Sequence, residues 1–169
     1  MKKWYQNKYV AVVWAVLRIW LGIQWLEAGW HKLGAFDASG FLQGAIAKAG
    51  GEAPVVQGWY GAFLETFAVP NVELFNFLIP AGEVLVGLGL IFGALTAPAL
   101  IAGAFMNLNF LMAGTISTNP ILLTVAIVLL FVIKGTKVYG LDHFLTVENF
   151  KKLKEKGLFK KGVHGAEAH

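Results

Sequence analysis

The sequence predicts an all-α membrane protein: a four-helix transmembrane bundle with a long helical outer connection between spans one and two. Of the 169 residues, 57% are hydrophobic and only 14% are charged, and the mean hydropathy is +0.62. Soluble domains carry a much larger share of charged residues. No Asp, Glu, Lys or Arg occurs across the fifty residues between Glu83 and Lys134, enough to cross a bilayer core of roughly 30 Å twice. The expected partner is therefore the lipid bilayer, and not nucleic acid, although the net charge is +4.

The first predicted span covers residues 9–33, which is roughly 37 Å of helix. A secretory signal peptide is the alternative interpretation of this stretch. Arg18 and Glu27 interrupt it, however, it is too long for the apolar core of a signal peptide, and no small-residue cleavage site follows. We therefore expect a membrane-spanning helix.

Three further apolar stretches predict spans at residues 72–92, 98–117 and 120–136. The third and fourth spans are each preceded by a residue that can cap a helix, Thr96 and Asn119. A proline then stands in the first turn, Pro98 and Pro120. Because the connections among these spans are only a few residues long, the three helices should be antiparallel neighbours.

The distribution of lysine predicts that both ends are cytoplasmic. Lys2, Lys3 and Lys8 precede the first span, and eight lysines follow the fourth. The connection at 34–71 has more acidic than basic residues and should lie outside. Residues 1–145 would then form the membrane domain and residues 146–169 a basic cytoplasmic tail. The tail either lies along the anionic inner leaflet or is simply solvated.

The outer connection is expected to contain two helical segments. Asp37 or Ser39 can begin the first, which ends near Ala49, and the second extends from Pro54 to about Val69. Aromatic and aliphatic side chains recur in the second segment at helical spacing and predict one aromatic side. These are Val56, Trp59, Tyr60, Phe63 and Phe67. The segment is either a lid over the outer mouth of the bundle or an interfacial aromatic belt with no ligand beneath it.

Four polar side chains are predicted at one level near the middle of the membrane: Arg18, Glu83, Asn107 and Asn109. An ionisable residue at that depth costs several kcal/mol unless it is paired or hydrated. The simplest prediction is an ion pair between Arg18 and Glu83, with an asparagine satisfying the remaining hydrogen bonds. The group either fixes the helix register or binds a quinone head group, whose carbonyl oxygens need donors and whose reduction needs protons.

The outer half of the first span carries further polar residues. Two sets each share a helix face: Gln24, Glu27 and His31, and Arg18, Trp25 and Lys32. His31 and Lys32 would stand near the outer surface, where they could meet a small anion. The alternatives are that Lys32 extends to the lipid head groups and that His31 is a hydrogen-bonded interfacial histidine.

The chain contains no cysteine. A disulfide, a thiolate metal site, an iron–sulfur cluster and a covalent c-type haem are therefore excluded. His31 is the only histidine in or near the predicted spans, which disfavours a haem held by two histidines. No metal site is expected.

Four motifs that combine glycine with charged or polar residues follow one another within residues 10–145. They are Arg18-x3-Gly22-x2-Trp25-x3-Gly29-x2-Lys32-Leu33, Gly82-Glu83-x3-Gly87-Leu88-x4-Gly93, Asn107-x-Asn109 and Gly140-Leu141-Asp142. In this order they resemble the DoxX superfamily of small four-helix membrane proteins. The outer segment Trp59-Tyr60-x2-Phe63-Leu64-Glu65, with Pro70-Asn71 after it, resembles the DoxD-like branch, which is associated with the large subunit of thiosulfate:quinone oxidoreductase.

The resemblance implies a quinone-linked oxidoreductase, or the membrane subunit of one, that oxidises thiosulfate to tetrathionate. The residues expected to take part in catalysis are Arg18, Glu83, His31 and Lys32. Those expected to bind the quinone are Arg18, Trp25, Glu83, Asn107 and Asn109. Because the sequence contains no intrinsic redox centre, the electrons must pass to a bound quinone or to a second subunit; a homo-oligomer is compatible with either.

The alternative function is a non-catalytic anchor or assembly partner for a soluble redox protein, docking through the basic tail. A small permease is disfavoured because the spans contain no convincing internal repeat.

Overall fold

The computed structural model describes residues 4–144. Within them the chain is helical, and no strand occurs. Residues 146–169, which include the predicted basic tail, lie outside the described residues, as do Lys2 and Lys3. The predicted binding of the tail to the inner leaflet therefore stays a prediction.

Seven α-helices occur in the described part, numbered here in chain order. They are α1 (Lys8–Trp30), α2 (Ser39–Ala47), α3 (Gly58–Phe63), α4 (Val72–Phe92), α5 (Thr96–Met112), α6 (Asn119–Phe131) and α7 (Ile133–Thr136). A π-helical turn at Leu64–Ala68 extends α3, and short 3₁₀ turns lie at Trp4–Gln6 and Leu141–His143. The predicted helix at 72–92 has these same bounds. The helix predicted at 120–136 is instead broken at Val132 into α6 and α7.

Two of these helices, α1 and α4, are long and apolar enough to cross a membrane. Only 33% of the apolar window of α1 and 28% of that of α4 is buried, whereas the core helix of a soluble protein is mostly buried. The exposed remainder includes many large apolar side chains, such as Val16, Trp20, Leu85 and Phe92. This pattern suggests that α1 and α4 are associated with a membrane. The helices α5 and α6 are also apolar but shorter.

Glycines bring α1 and α4 close together. A Cβ atom added to Gly87 would lie 2.7 Å from the backbone nitrogen of Leu26, and one added to Gly22 would lie 2.9 Å from the carbonyl oxygen of Gly87. At Gly29 the added Cβ would lie 2.8 Å from the backbone nitrogen of Val84. Contacts this short leave no room for a side chain, so the glycines permit the close approach and set the antiparallel register of the pair.

The described residues pack around two hydrophobic cores. The first joins α1, α4, α5 and α6 through a set of buried side chains that includes Leu21, Trp25, Leu90, Leu100 and Leu129. The second lies beneath the outer connection, where Leu42, Val56, Tyr60 and Leu64 pack against Ala113 at the end of α5. The outer connection is therefore a packed cap on the helices and not a loose loop.

Three polar contacts fasten this cap to the helices. The side-chain oxygen of Asn76 in α4 accepts from the backbone N–H of Ala38 at 2.7 Å. Lys48 Nζ donates to the carbonyl oxygen of Gly114 at 3.2 Å, where a cation suits the C-terminal end of α5. The Tyr60 hydroxyl lies 3.1 Å from Asn109 Oδ1.

The single aromatic side predicted for the outer connection is divided in two. Val56 and Tyr60 point into the second core, whereas Trp59, Phe63 and Phe67 are exposed. The sequence prediction assigned residues from two neighbouring sides of the helix to a single face. A helix that lies on the surface of a bundle separates such residues, because only about a third of its circumference meets the core.

The capping predictions for α5 and α6 were wrong. The backbone N–H groups of Leu95 and Thr96 donate to the carboxylate of Asp142, at 2.8 and 2.9 Å. Asn119 is the first residue of α6 and not its cap, and its side-chain nitrogen donates to the carbonyl of Thr115 at 2.9 Å. A carboxylate 46 residues away is invisible to a local sequence pattern.

Candidate functional site

A cavity of about 280 Å³ lies between α1, α4, α5 and α6, at the ends of these helices that are nearer the connection between α1 and α4. Pockets that enclose drug-sized ligands usually measure roughly 300–1,000 Å³, so this cavity suits a small molecule or the head group of a larger one. Its walls come from α1 (Gln24, Trp25, Ala28), from the segment between α1 and α2 with the start of α2 (Lys32, Phe36, Phe41), and from α4 (Ile79, Glu83). The rest come from α5 (Phe110), the α5–α6 connection (Thr115, Ser117, Thr118) and α6 (Asn119, Leu122).

An ion pair between Lys32 and Glu83 forms the charged centre of this cavity. Lys32 Nζ donates to Glu83 Oε1 at 2.6 Å. The Glu83 side chain is 1% exposed and that of Lys32 is 31% exposed, so the carboxylate lies at the base of the cavity and the ammonium nearer its mouth. The ammonium also lies 5.5 and 5.7 Å from the ring centres of Phe36 and Phe110, which is cation–π distance.

The local chain geometry explains why these two groups meet. The helix α1 ends at Trp30, and the turn that follows carries Lys32 while Gly34 adopts a left-handed φ of +82°. Gly29 has no side chain to separate α1 from Glu83: an added Cβ would lie 2.9 Å from Glu83 Cβ. Lys32 therefore points inward to Glu83 and not outward to lipid head groups.

Several buried polar atoms of α1, α4 and α5 have no hydrogen-bond partner among the described residues. They are Glu83 Oε2, Trp25 Nε1, and both side-chain polar atoms of Asn107. Trp25 and Asn107 are 2% and 0% exposed. A buried polar atom without a partner costs roughly 1–3 kcal/mol. Glu83 and Trp25 line the cavity and Asn107 does not, so of these three residues Glu83 and Trp25 are the ones that a bound polar molecule could meet.

Asn107 lies on the side of α5 that faces the cavity walls. Gly103, one turn before it, packs on the indole of Trp25, since an added Cβ would lie 3.1 Å from Trp25 Nε1. Phe110, three residues after it, lines the cavity opposite Lys32. Residues spaced by three or four share a helix face, so Asn107 lies on the same side of α5 as these two contacts, although it does not itself line the cavity.

The predicted ion pair between Arg18 and Glu83 was wrong. The register of α1 and α4 places Glu83 beside Gly29 and Arg18 beside Gly93. Gly29 and Arg18 are eleven residues apart in α1, which corresponds to roughly 16 Å. The prediction placed the membrane edge at Val72, whereas α4 extends outward beyond the end of α1 to meet the outer connection. The level that was predicted to unite Arg18, Glu83 and the asparagines does not exist.

Arg18 instead holds the chain that follows α7. Its Nη2 donates to the carbonyl oxygen of Tyr139 at 2.6 Å, and its guanidinium fits between Gly93 and Gly140, where any side chain would collide with it. Asp142 lies in the same region and interacts electrostatically with Arg18. Arg18 is 2% exposed and lies away from the cavity, so the structure does not bring it together with the other predicted site residues.

Asp142 is the anionic centre of this second cluster. Burial alone would raise the pKa of its carboxyl group, but the hydrogen bonds from Thr96 and Leu95 and the charge of Lys137 outweigh that effect and hold the pKa below its ordinary value. Lys137 Nζ lies 3.7 Å from Asp142 Oδ2. The cluster joins the end of α4, the start of α5 and the segment at 137–142.

Asn109 and His31 do not line the cavity. The side-chain oxygen of Asn109 lies 3.1 Å from the Tyr60 hydroxyl, and its nitrogen donates to the carbonyl of Phe105 at 2.8 Å. Burial raises the pKa of Tyr60 above its ordinary value, so this hydroxyl keeps its proton near neutral pH. His31 is exposed at the end of α1, as is Glu27. Lys32 is paired with Glu83 in the cavity, so the structure does not bring His31 and Lys32 together as the predicted anion site.

Sequence reasoning missed the polar mouth of the cavity and the contacts of Tyr60 and Tyr139. Thr115, Ser117 and Thr118 line the cavity, and their composition resembles that of an ordinary turn. The partner of Arg18 is a backbone carbonyl, which no side-chain pattern reveals. The Gly140-Leu141-Asp142 motif was noted but carried no role.

Within residues 4–144, no group of three or more His, Cys, Asp and Glu side chains could hold a metal ion. Comparisons of the chain with protein family models, with curated proteins and with solved structures give no match. The functional proposal therefore depends on the residues and geometry described above.

Proposed function

We propose that the chain is a four-span membrane protein with both ends in the cytoplasm and the cavity in its outer half. In support, α5 and α6 are apolar and the exposed side chains of both helices include large apolar residues such as Phe105 and Phe131. The segment from Asn119 to Thr136, counted through the bend at Val132, would measure roughly 27 Å. Membership in the DoxX superfamily, and in its DoxD-like branch, is a proposal that depends on the motifs alone.

We further propose that the protein is a membrane-embedded, quinone-linked oxidoreductase or the membrane subunit of one. The observation that carries this proposal is the arrangement in the cavity: a lysine–glutamate pair with one free carboxylate oxygen, a free indole N–H close by, and aromatic walls. A quinone head group is a flat ring with carbonyl acceptors on opposite edges, and it needs donors, protons and apolar walls. The residues present fit those needs.

Each residue has a role in this proposal. Lys32 Nζ and Trp25 Nε1 donate hydrogen bonds to carbonyl oxygens of the ring. Glu83 Oε2 would hold a proton at the base of the cavity and give it up as a quinone is reduced, while Oε1 stays paired with Lys32. Phe36 and Phe110 exclude water from the ring. A quinone, when bound, would accept two electrons and two protons.

The charge of the site favours a neutral ligand over a free anion. Lys32 is already paired with Glu83 at 2.6 Å, and Arg18 lies at the other end of α1. Within residues 4–144, Lys32 is the one cation that lines the cavity, so an anion there would have to displace Glu83 from it. Thiosulfate remains the proposed electron donor, but we place it outside this cavity, where His31 is exposed.

Binding of a short-chain quinone analogue to the purified protein in detergent tests the proposal. Wild type should bind it, with quenching of tryptophan fluorescence as the readout, since Trp25 lines the cavity. Glu83→Gln and Lys32→Met should weaken binding about tenfold or more, because each loses a charge-assisted hydrogen bond. Glu27→Gln, on the exposed side of α1, is the matched control and should bind as wild type does.

A second measurement follows thiosulfate-dependent reduction of the same analogue. Turnover by the protein alone would establish the oxidoreductase, whereas binding without turnover would assign the chain to the membrane subunit of an enzyme. Failure of folded wild type to bind any quinone analogue would refute the proposal. Thermal unfolding of each variant separates loss of the site from loss of the fold.

The alternative function, a non-catalytic anchor for a soluble redox protein, involves residues 146–169. Those residues lie outside the described part of the chain. No described contact favours this alternative, so it stays a prediction.

A further inference from the structure

The outer connection presents a row of large exposed side chains. Val55, Trp59, Phe63 and Phe67 follow one another at intervals of four residues, and 68%, 64%, 42% and 48% of their surfaces are exposed. The rings of Phe63 and Phe67 stack at 5.4 Å. Such a contiguous aromatic surface is rare on a protein that faces only water.

The neighbouring sides of the same segment have different chemistry. The row one position later, Val56, Tyr60, Leu64 and Ala68, is buried in the second core. A third side is exposed and consists of small or polar residues: Gly58, Ala62, Glu65 and Thr66. The segment therefore has one side towards the helices, one aromatic side and one polar side.

The π-helical turn keeps the two apolar rows straight. In an α-helix a step of four residues advances roughly 40° beyond a full turn, so rows with this spacing would wind around the helix. Val69 N–H donates to the carbonyl of Leu64, five residues earlier, at 2.9 Å. A π-helical turn contains more residues than an α-helical turn, so the angle around the helix axis between Phe63 and Phe67 is smaller than it would be in an α-helix. The rows consequently remain on separate sides along the whole segment.

The aromatic row is continuous with the apolar surface of α4. The ring of Phe67 contacts that of Phe75 in the first turn of α4, with their centres 6.3 Å apart. Next to Phe75, Leu74, Phe77 and Leu78 are exposed, and they belong to a helix long and apolar enough to span a membrane. A surface that α4 places against lipid therefore extends directly onto the outer connection.

We propose that the row Val55, Trp59, Phe63 and Phe67 lies in the outer leaflet, at the boundary between head groups and acyl chains, and anchors the outer connection to the membrane. Aromatic side chains concentrate at this boundary, whereas the carboxylate of Glu65, on the polar side, has to stay in water. The partner is thus the lipid surface, and the anchor does not depend on what the cavity binds.

Single-site spin labelling tests the anchor directly, because the chain has no native cysteine. Phe63→Cys and Phe67→Cys place a nitroxide on the aromatic row. Ala62→Cys and Thr66→Cys, one residue earlier in each case, are matched controls on the polar side. Each labelled full-length protein is reconstituted into phospholipid vesicles, and collisions of the label with oxygen, which concentrates in lipid, and with a water-soluble nickel chelate are measured.

The labels at 63 and 67 should favour oxygen over the chelate several-fold relative to the labels at 62 and 66. Equal ratios at all four sites would overturn the proposal, since the row would then face water. Protection of 63 and 67 from both reagents would also overturn it, because a second copy of the chain would then cover the row. Only variants that retain the helical content and thermal unfolding of wild type are compared.

Discussion

Asp142 is the residue whose effect on stability is clearest. Its carboxylate accepts from two backbone N–H groups at the start of α5 and also meets Lys137. We expect Asp142→Asn to cost about 1 kcal/mol at neutral pH, because the hydrogen bonds that the carboxylate accepts are stronger than those that a neutral amide oxygen accepts. The measurement is thermal unfolding in detergent, followed by circular dichroism. Glu52→Gln, an exposed substitution in the outer connection, should leave the unfolding temperature unchanged.

The cost of Asp142→Asn should also depend on pH. The folded state lowers the pKa of this carboxyl group from its ordinary value of 3.8. The contribution of the Asp142 carboxylate to stability is therefore complete above about pH 3.8, and it is lost as the pH falls through the lower pKa that this group has in the folded protein. The difference between wild type and variant should shrink over that acid range. A difference that stays constant down to the acid limit would contradict the role of the carboxylate.

At the scale of single residues, the sequence predicts which side chains matter better than it predicts their partners. Arg18 and Glu83 were selected because ionisable groups are costly among apolar ones, and Trp25 and Lys32 because they share a helix face with Arg18. All but Lys32 are buried. The predicted pairing was wrong because a correct one depends on the register of α1 against α4 along their axes. That register is set by contacts of Gly22, Gly29 and Gly87 across the interface, and contacts between helices leave no local sequence pattern.

At the scale of elements, the α1–α4 pair should be sensitive to added side-chain volume. In Gly87→Ala the new methyl would lie 2.7 Å from Leu26 N and 2.8 Å from Leu26 Cβ, so the two helices have to move apart. We expect a loss of about 1–3 kcal/mol, the usual cost of overpacking. Thermal unfolding in detergent measures it, and binding at the cavity should weaken too, because the Lys32–Glu83 contact crosses the same helix pair.

A matched control for this substitution lies in α2. Gly44 is helical, and no atom lies within 4 Å of the Cβ that alanine would add. Gly44→Ala should therefore be neutral or slightly stabilising, since alanine favours helix by about 1 kcal/mol over glycine. Equal destabilisation by both substitutions would contradict close packing as the reason for Gly87.

Helix positions followed from hydropathy, but details set by distant parts of the chain did not. The bounds of α4 agree with the prediction because both ends are marked locally, by Pro70-Asn71 before it and Gly93 in a left-handed conformation after it. The start of α5 depends instead on Asp142. The division of the aromatic residues in the outer connection depends on the second core and on the π-helical turn, neither of which has a signature in hydropathy.

At the scale of the whole molecule, the proposed four-span topology differs from a two-span one in the position of a single turn. If only α1 and α4 cross the membrane, the α5–α6 connection lies on the same side as Lys134. If α5 and α6 also cross, the connection lies on the opposite side, together with the outer connection. The location of the cavity depends on this choice, because Thr115, Ser117 and Thr118 line its mouth.

Labelling of single cysteines with a membrane-impermeant maleimide in right-side-out vesicles separates the two topologies. Gln43→Cys in α2 reports the outer connection, Lys134→Cys reports α7, and Ile116→Cys reports the α5–α6 connection; all three positions are exposed. We expect Ile116→Cys to react together with Gln43→Cys, and Lys134→Cys to react only after permeabilisation. Reaction of Ile116→Cys only after permeabilisation would refute the four-span topology. Inverted labelling of all three sites would keep four spans but refute cytoplasmic ends, since the excess of lysine at the two termini is what predicts that orientation.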